Sequence, residues 1–82
     1  MERAKILHKV IEIMQELVDD DSLQLANDTT SDDVEDWDSV NHVKLILAIE
    51  SEFNIRFQTN EINGSANVGE LIGLIEGKLA HP

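Results

Sequence analysis

The chain contains no cysteine. It therefore has no disulfide framework, no thiol nucleophile and no soft thiolate metal site, and a reducing compartment is the natural setting for such a composition. Basic residues are scarce too: six Lys and Arg stand against 17 Asp and Glu, a formal charge of −11. That imbalance repels nucleic acid and anionic membranes and attracts proteins with basic patches. No apolar run approaches the roughly 18 to 20 residues that span a bilayer, and no N-terminal signal pattern is present, so membrane insertion is not expected and a cytoplasmic location is. At 82 residues the expectation is one domain, residues 1–82. A chain of this size buries only about 60% of its unfolded surface, which argues against a large enclosed active site.

What is present is helical periodicity. Between Glu2 and Val18 the apolar residues Ile6, Leu7, Val10, Ile11, Ile13, Met14, Leu17 and Val18 share one arc, with Lys5, His8, Lys9, Glu12, Gln15 and Glu16 opposite. The spacing predicts an amphipathic helix. From Asp19 to Trp37 the pattern stops and Asp, Ser, Thr and Asn dominate, so a long loop is expected, with Leu23, Leu25 and Val34 tucked beneath it. No Lys or Arg occurs from Val10 to Val43, where 11 acids do. That stretch is either a solvated loop or a docking surface. A second helix should run from Ser39 to about Phe53, with Val40, Val43, Ile46, Leu47, Ile49 and Phe53 apolar and Leu45 and Ala48 extending the face. A helix that apolar is packed on several sides or partly offered to partners. Asn54 suits a left-handed stop. Ile55 and Phe57 read as anchors of a loop, and Thr59 can start a short turn through Glu61 and Ile62, ended by Gly64 and Ser65. The last helix spans about Val68 to Leu79, capped by Asn67 with Glu70 three residues on. Gly69, Gly73 and Gly77 each cost that helix about 1 kcal/mol relative to Ala and should soften it.

The chemistry-bearing residues cluster at Glu35-Asp36-Trp37-Asp38-Ser39-Val40. Asp38 is a good N-cap, which makes Ser39 the first helical residue, and a phosphate on its oxygen would sit at the positive end of the helix dipole. On residue type alone Ser39 reads first as an ordinary helix-start serine. A hydrolase built from Ser39, His42 and Asp38 lacks a nucleophile elbow and an oxyanion loop. His42 reads as a helix-surface residue and Trp37 as a packing residue at the head of the helix. The acidic loop lacks the alternating ligands and central Gly of an EF-hand, and His8, His42 and His81 show no metal-ligand spacing, so no metal site is expected.

With Asp38-Ser39-Val40 at the head of a helix in a small acidic chain, the sequence resembles an acyl carrier protein of the freestanding bacterial type. The string from Trp37 to Phe53, WDSVNHVKLILAIESEF, carries the resemblance most strongly, and it extends over nearly the whole chain. The resemblance implies an all-α fold, a small four-helix bundle with a long loop between helices 1 and 2 and a short third helix. It implies that the chain is not an enzyme but carries acyl thioesters on 4′-phosphopantetheine attached to Ser39, flanked by Asp38. A phosphopantetheinyl transferase would supply the arm from coenzyme A, and fatty-acid, polyketide or related enzymes with basic patches would be partners of a monomeric shuttle. The matching docking positions are Asp36, Asp38, Val40, Val43, Leu47 and Glu50. Asn41 and Lys44 stand where fatty-acid carriers usually have acids, and the segment from Gly64 to Asn67 lacks the usual apolar anchor, which implies a loosely held third helix. An aminoacyl carrier of the D-alanyl or peptidyl kind, loaded by an adenylating ligase, is the alternative; an unmodified helical interaction module is another.

Overall fold

A computed structural model describes residues 2–62 and 67–80. Among these residues the chain forms four α-helices and no strand: α1 (Arg3–Val18), α2 (Ser39–Phe53), α3 (Thr59–Ile62) and α4 (Val68–Ala80). A single 3-10 turn, Ser31–Asp33, interrupts the α1–α2 loop. The expected end of α3 at Gly64 and Ser65, the loosely held segment beginning at Gly64, and His81 lie outside the described residues.

The helices pack through the arcs that their periodicity marks out. α1 lies against both α2 and α4. Ile6, Val10 and Met14 of α1 meet Leu45, Ile46, Ile49 and Phe53 of α2 and Val68, Leu71, Ile72 and Ile75 of α4 in one core. Fully burying each of these large aliphatic side chains contributes about 1.5–3 kcal/mol, so the three long helices hold the fold together. Ion pairs at the rim, Lys9 to Glu52 at 3.1 Å and Arg3 to Glu76 at 3.4 Å, join α1 to α2 and α4 but are exposed and weak.

Helix ends follow local chemistry. Asn54 adopts the left-handed conformation at φ 56° and ends α2 as expected, and Asp19 does the same for α1 at φ 53°. Both short polar side chains tolerate a region that β-branched residues avoid. Asn67 caps α4, its Oδ1 accepting from Glu70 N at 2.9 Å.

The α1–α2 loop is held down along its length. Leu25 is buried, and Leu23 and Val34 pack partly buried against the core, as expected. Gln15 of α1 donates to the carbonyls of Asp21 and Leu23. Farther on, the loop carbonyls of Asn27 and Thr29 accept from Gly69 N at 2.7 Å and Val68 N at 2.8 Å. Loop backbone thereby satisfies first-turn N–H groups of α4 that its own helix leaves free. A Cβ on Gly69 would lie 2.8 Å from the Asn27 carbonyl oxygen. This glycine permits a close approach; Gly77, with open space around it, does not.

Candidate functional site

α2 begins where the acidic loop meets the bundle. Asp38 is its N-cap: the backbone is extended, and Oδ1 accepts from Asn41 N at 2.8 Å. Asn41 also reaches back, its Nδ2 donating to the Asp36 carbonyl at 2.7 Å. The asparagine that departs from the acidic pattern therefore has a structural reason, because a carboxylate at position 41 has no N–H to donate. Ser39 is the first helical residue and is exposed, and among the described residues its hydroxyl has no hydrogen-bond partner. An unpartnered hydroxyl at the positive end of a fifteen-residue helix fits a phosphodiester-linked group.

Trp37 is buried, 7% exposed, and packs into the core at the head of α2. Its indole Nε1 donates to His42 Nδ1 at 3.1 Å, and the two rings stack with centroids 6.1 Å apart. The other ring nitrogen of His42, Nε2, lies 2.7 Å from the Ile62 carbonyl. Since Trp37 can only donate and a carbonyl can only accept, His42 is the neutral tautomer with its proton on Nε2. His42 is thus half-buried and bonded on both sides, not the surface residue expected of it. Its spacing from Trp37, five residues, was the one available signal, and it carries no meaning until the backbone turns.

The apolar face of α2 divides in two. Leu45, Ile46, Ile49 and Phe53 are buried, while Val40, Val43 and Leu47 remain 61%, 50% and 58% exposed. The exposed three lie at i, i+3 and i+7 and form a stripe descending from Ser39. Lys44, also exposed, borders it. Asp36 and Asp38 are exposed at its upper end. Glu50 differs from the other residues expected to dock: half-buried, its Oε2 accepts from Phe57 N at 2.8 Å and ties down the segment after α2.

α3 is short, as expected, but it has named attachments. Besides the His42 contact, Glu61 pairs with Lys78 of α4 at 2.8 Å, and that ammonium lies 5.4 Å from the Phe57 ring centroid. The Lys78 hydrogen bond, with help from Gln58 N–H, holds the Glu61 carboxyl below the usual carboxylate range. Among the described residues no cluster of three or more His, Asp or Glu is arranged to hold a metal ion, and no helix is long and apolar enough to cross a membrane.

Known proteins share this fold. The family model described as "Phosphopantetheine attachment site" matches residues 8–75. The acyl carrier protein of Prochlorococcus marinus (strain MIT 9515) is 31% identical over 78 residues, covering 95% of this chain and 98% of the relative. That of Streptococcus thermophilus (strain CNRZ 1066) is 36% identical over 73 residues, covering 89% and 95%. Among solved structures, holo acyl carrier protein from Geobacter metallireducens superposes with a TM-score of 0.83 at 36% identity, covering 90% of this chain and 85% of that one. The acyl carrier protein of Thermotoga maritima gives 0.85 at 30% identity, covering 98% and 93%. A match that spans most of the chain in family model, sequence and fold shows that the chain belongs to the acyl carrier proteins, a family of carriers and not enzymes whose prosthetic group is covalently attached 4′-phosphopantetheine.

Proposed function

We propose that Ser39 is the residue that carries the 4′-phosphopantetheine and that the whole chain, residues 1–82, acts as one carrier domain for acyl groups. The observation that carries this reading is the exposed Ser39 hydroxyl, without a hydrogen-bond partner among the described residues, at the first position of α2. In the loading step, the Ser39 oxygen bonds to the phosphorus of coenzyme A that bears the pantetheine. The pyrophosphate bond breaks, adenosine 3′,5′-bisphosphate leaves, and the hydroxyl proton passes to the transferase. The arm supplies the thiol that holds the cargo as a thioester; the chain itself positions and presents it.

The partner surface in this reading is the exposed stripe of Val40, Val43 and Leu47 beneath Asp36 and Asp38, with Glu50 at its lower edge. The partners are a phosphopantetheinyl transferase and the loading and synthase enzymes of fatty-acid, polyketide or related biosynthesis, reached in the cytoplasm by a monomeric shuttle. Charge-steered, small-area docking suits a carrier that must release each enzyme in turn. The names of the relatives favour acyl over aminoacyl cargo. Incubating the apo protein with a transferase and coenzyme A should add one phosphopantetheine by intact mass, and Ser39→Ala should add none. Because the hydroxyl is exposed and has no hydrogen-bond partner among the described residues, Ser39→Ala should keep the stability of the parent within about 0.5 kcal/mol. A mass gain in Ser39→Ala would refute the assignment.

A further inference from the structure

We propose that His42 is a positioning residue whose neutral ring links the loop in front of Ser39 to α3, and that its protonation releases the loop side of that link; the consequence for loading rests on the Ser39 reading above. Three elements converge on one imidazole. Trp37, two residues before Ser39, donates to Nδ1 at 3.1 Å, and Nε2–H donates to Ile62 O, the last carbonyl of α3, at 2.7 Å. Protonation puts a hydrogen on Nδ1, where the Trp37 N–H already points, so two donors face each other and the bond is lost. The Ile62 contact survives, because Nε2 donates in both states. Acidification thus removes the tie between the Trp37 indole and α2, leaving the segment before Ser39 held by Asn41, while α3 stays attached, helped by Glu61 and Lys78.

The charged groups on the elements that meet here are Glu35, Asp36 and Asp38 before and at the start of α2, Lys44, Glu50 and Glu52 on α2 and Glu61 on α3, with Lys78 of α4 paired to Glu61. None is hydrogen-bonded to the ring. Asp38 is committed to Asn41 N, and Glu61 to Lys78 and Gln58 N. The ring's protonation state is thereby read by Trp37.

Two conservative replacements separate the halves of the link. His42→Asn places an acceptor near the Nδ1 position and cannot titrate; His42→Gln places a donor near Nε2 and leaves Trp37 without its partner. In the apo protein, imidazole nitrogen shifts should identify the Nε2–H tautomer at pH 8. Protection of the Trp37 indole N–H from solvent exchange should fall about five- to tenfold as His42 titrates, the loss of one hydrogen bond. In His42→Asn protection should persist and be independent of this titration; in His42→Gln it should be low throughout. With transferase and coenzyme A, kcat/KM for the wild type relative to His42→Asn should fall on acidification through a rise in KM, with kcat ratios unchanged. An Nδ1–H tautomer, or indole protection indifferent to the titration of His42, would overturn the proposal. Absence of any mass gain at either pH would instead remove the Ser39 reading and leave the indole result standing.

Discussion

Gly69→Ala tests whether the long loop is bound to α4 or merely lies over it. The new Cβ would sit 2.8 Å from the Asn27 carbonyl oxygen, 3.2 Å from Asn27 Cβ and 3.3 Å from Asn67 Oδ1. The closest of these is backbone, so relief requires the loop to retreat. That oxygen also accepts from Gly69 N at 2.7 Å, and the neighbouring Thr29 carbonyl accepts from Val68 N at 2.8 Å. Retreat loses or stretches one or both bonds, each worth about 0.5–1.5 kcal/mol net. Against this stands the helix propensity regained on replacing glycine, at most about 1 kcal/mol and less in a first turn. The net expectation is destabilisation by about 1–2 kcal/mol. Gly77→Ala is the control: it lies on an exposed face of the same helix with nothing within 4 Å, and it should stabilise by about 0.5–1 kcal/mol. For a domain of this size each kcal/mol moves Tm by about 4–8 °C, so circular-dichroism melts should place the two variants on opposite sides of the parent. Amide exchange of Val68 should accelerate in Gly69→Ala alone. If Gly69→Ala melted at or above the parent, the loop would not be docked as described, and these glycines would be nothing more than helix-softening residues.

Asn41→Asp should destabilise by about 1 kcal/mol, since it removes the bond to the Asp36 carbonyl and adds a charge beside Asp38; urea unfolding measures this, and equal stability would contradict it. Glu61 has its carboxyl held low by Lys78, so the stability that this pair contributes is present above the ordinary carboxylate range and is lost as pH falls through the lowered value. Lys78→Met should move the carbon-detected titration of Glu61 upward, short of full recovery because Gln58 N–H still donates, and an unmoved midpoint would discount the ion pair. Glu50→Ala should loosen the Phe57 amide in exchange experiments while leaving α2 protected; unchanged Phe57 exchange would show that Glu50 does not hold this segment.

Much of the site was legible in the chain. Asp38 and Asn54 have short polar side chains suited to the two ends of a helix, and both occupy those ends. Ser39 follows from Asp38 by one residue. The division of the α2 face was half legible: its excess of apolar residues pointed to more than one packing partner or an exposed stripe. Periodicity could not say that Leu45 goes inward and Val43 and Leu47 stay out, because that depends on where α1 and α4 lie. The bonds that Glu50 and His42 make were not legible for a related reason. Their partners, Phe57 N and the Ile62 carbonyl, are backbone groups whose positions no side-chain pattern records.

Residue order and side-chain chemistry alone therefore account for three long helices, the caps at Asp38, Asn54 and Asn67, the acidic loop and the helix-initial serine. Each of these depends on interactions within about one helical turn, which spacing in the chain encodes directly. The docking of the Asn27–Thr29 loop on α4, the need for glycine at 69 but not at 77, the His42 link and the anchoring of α3 by Lys78 came from three-dimensional packing. They join groups distant in the chain through single atoms, and only the mutual placement of the helices brings those atoms within hydrogen-bonding distance.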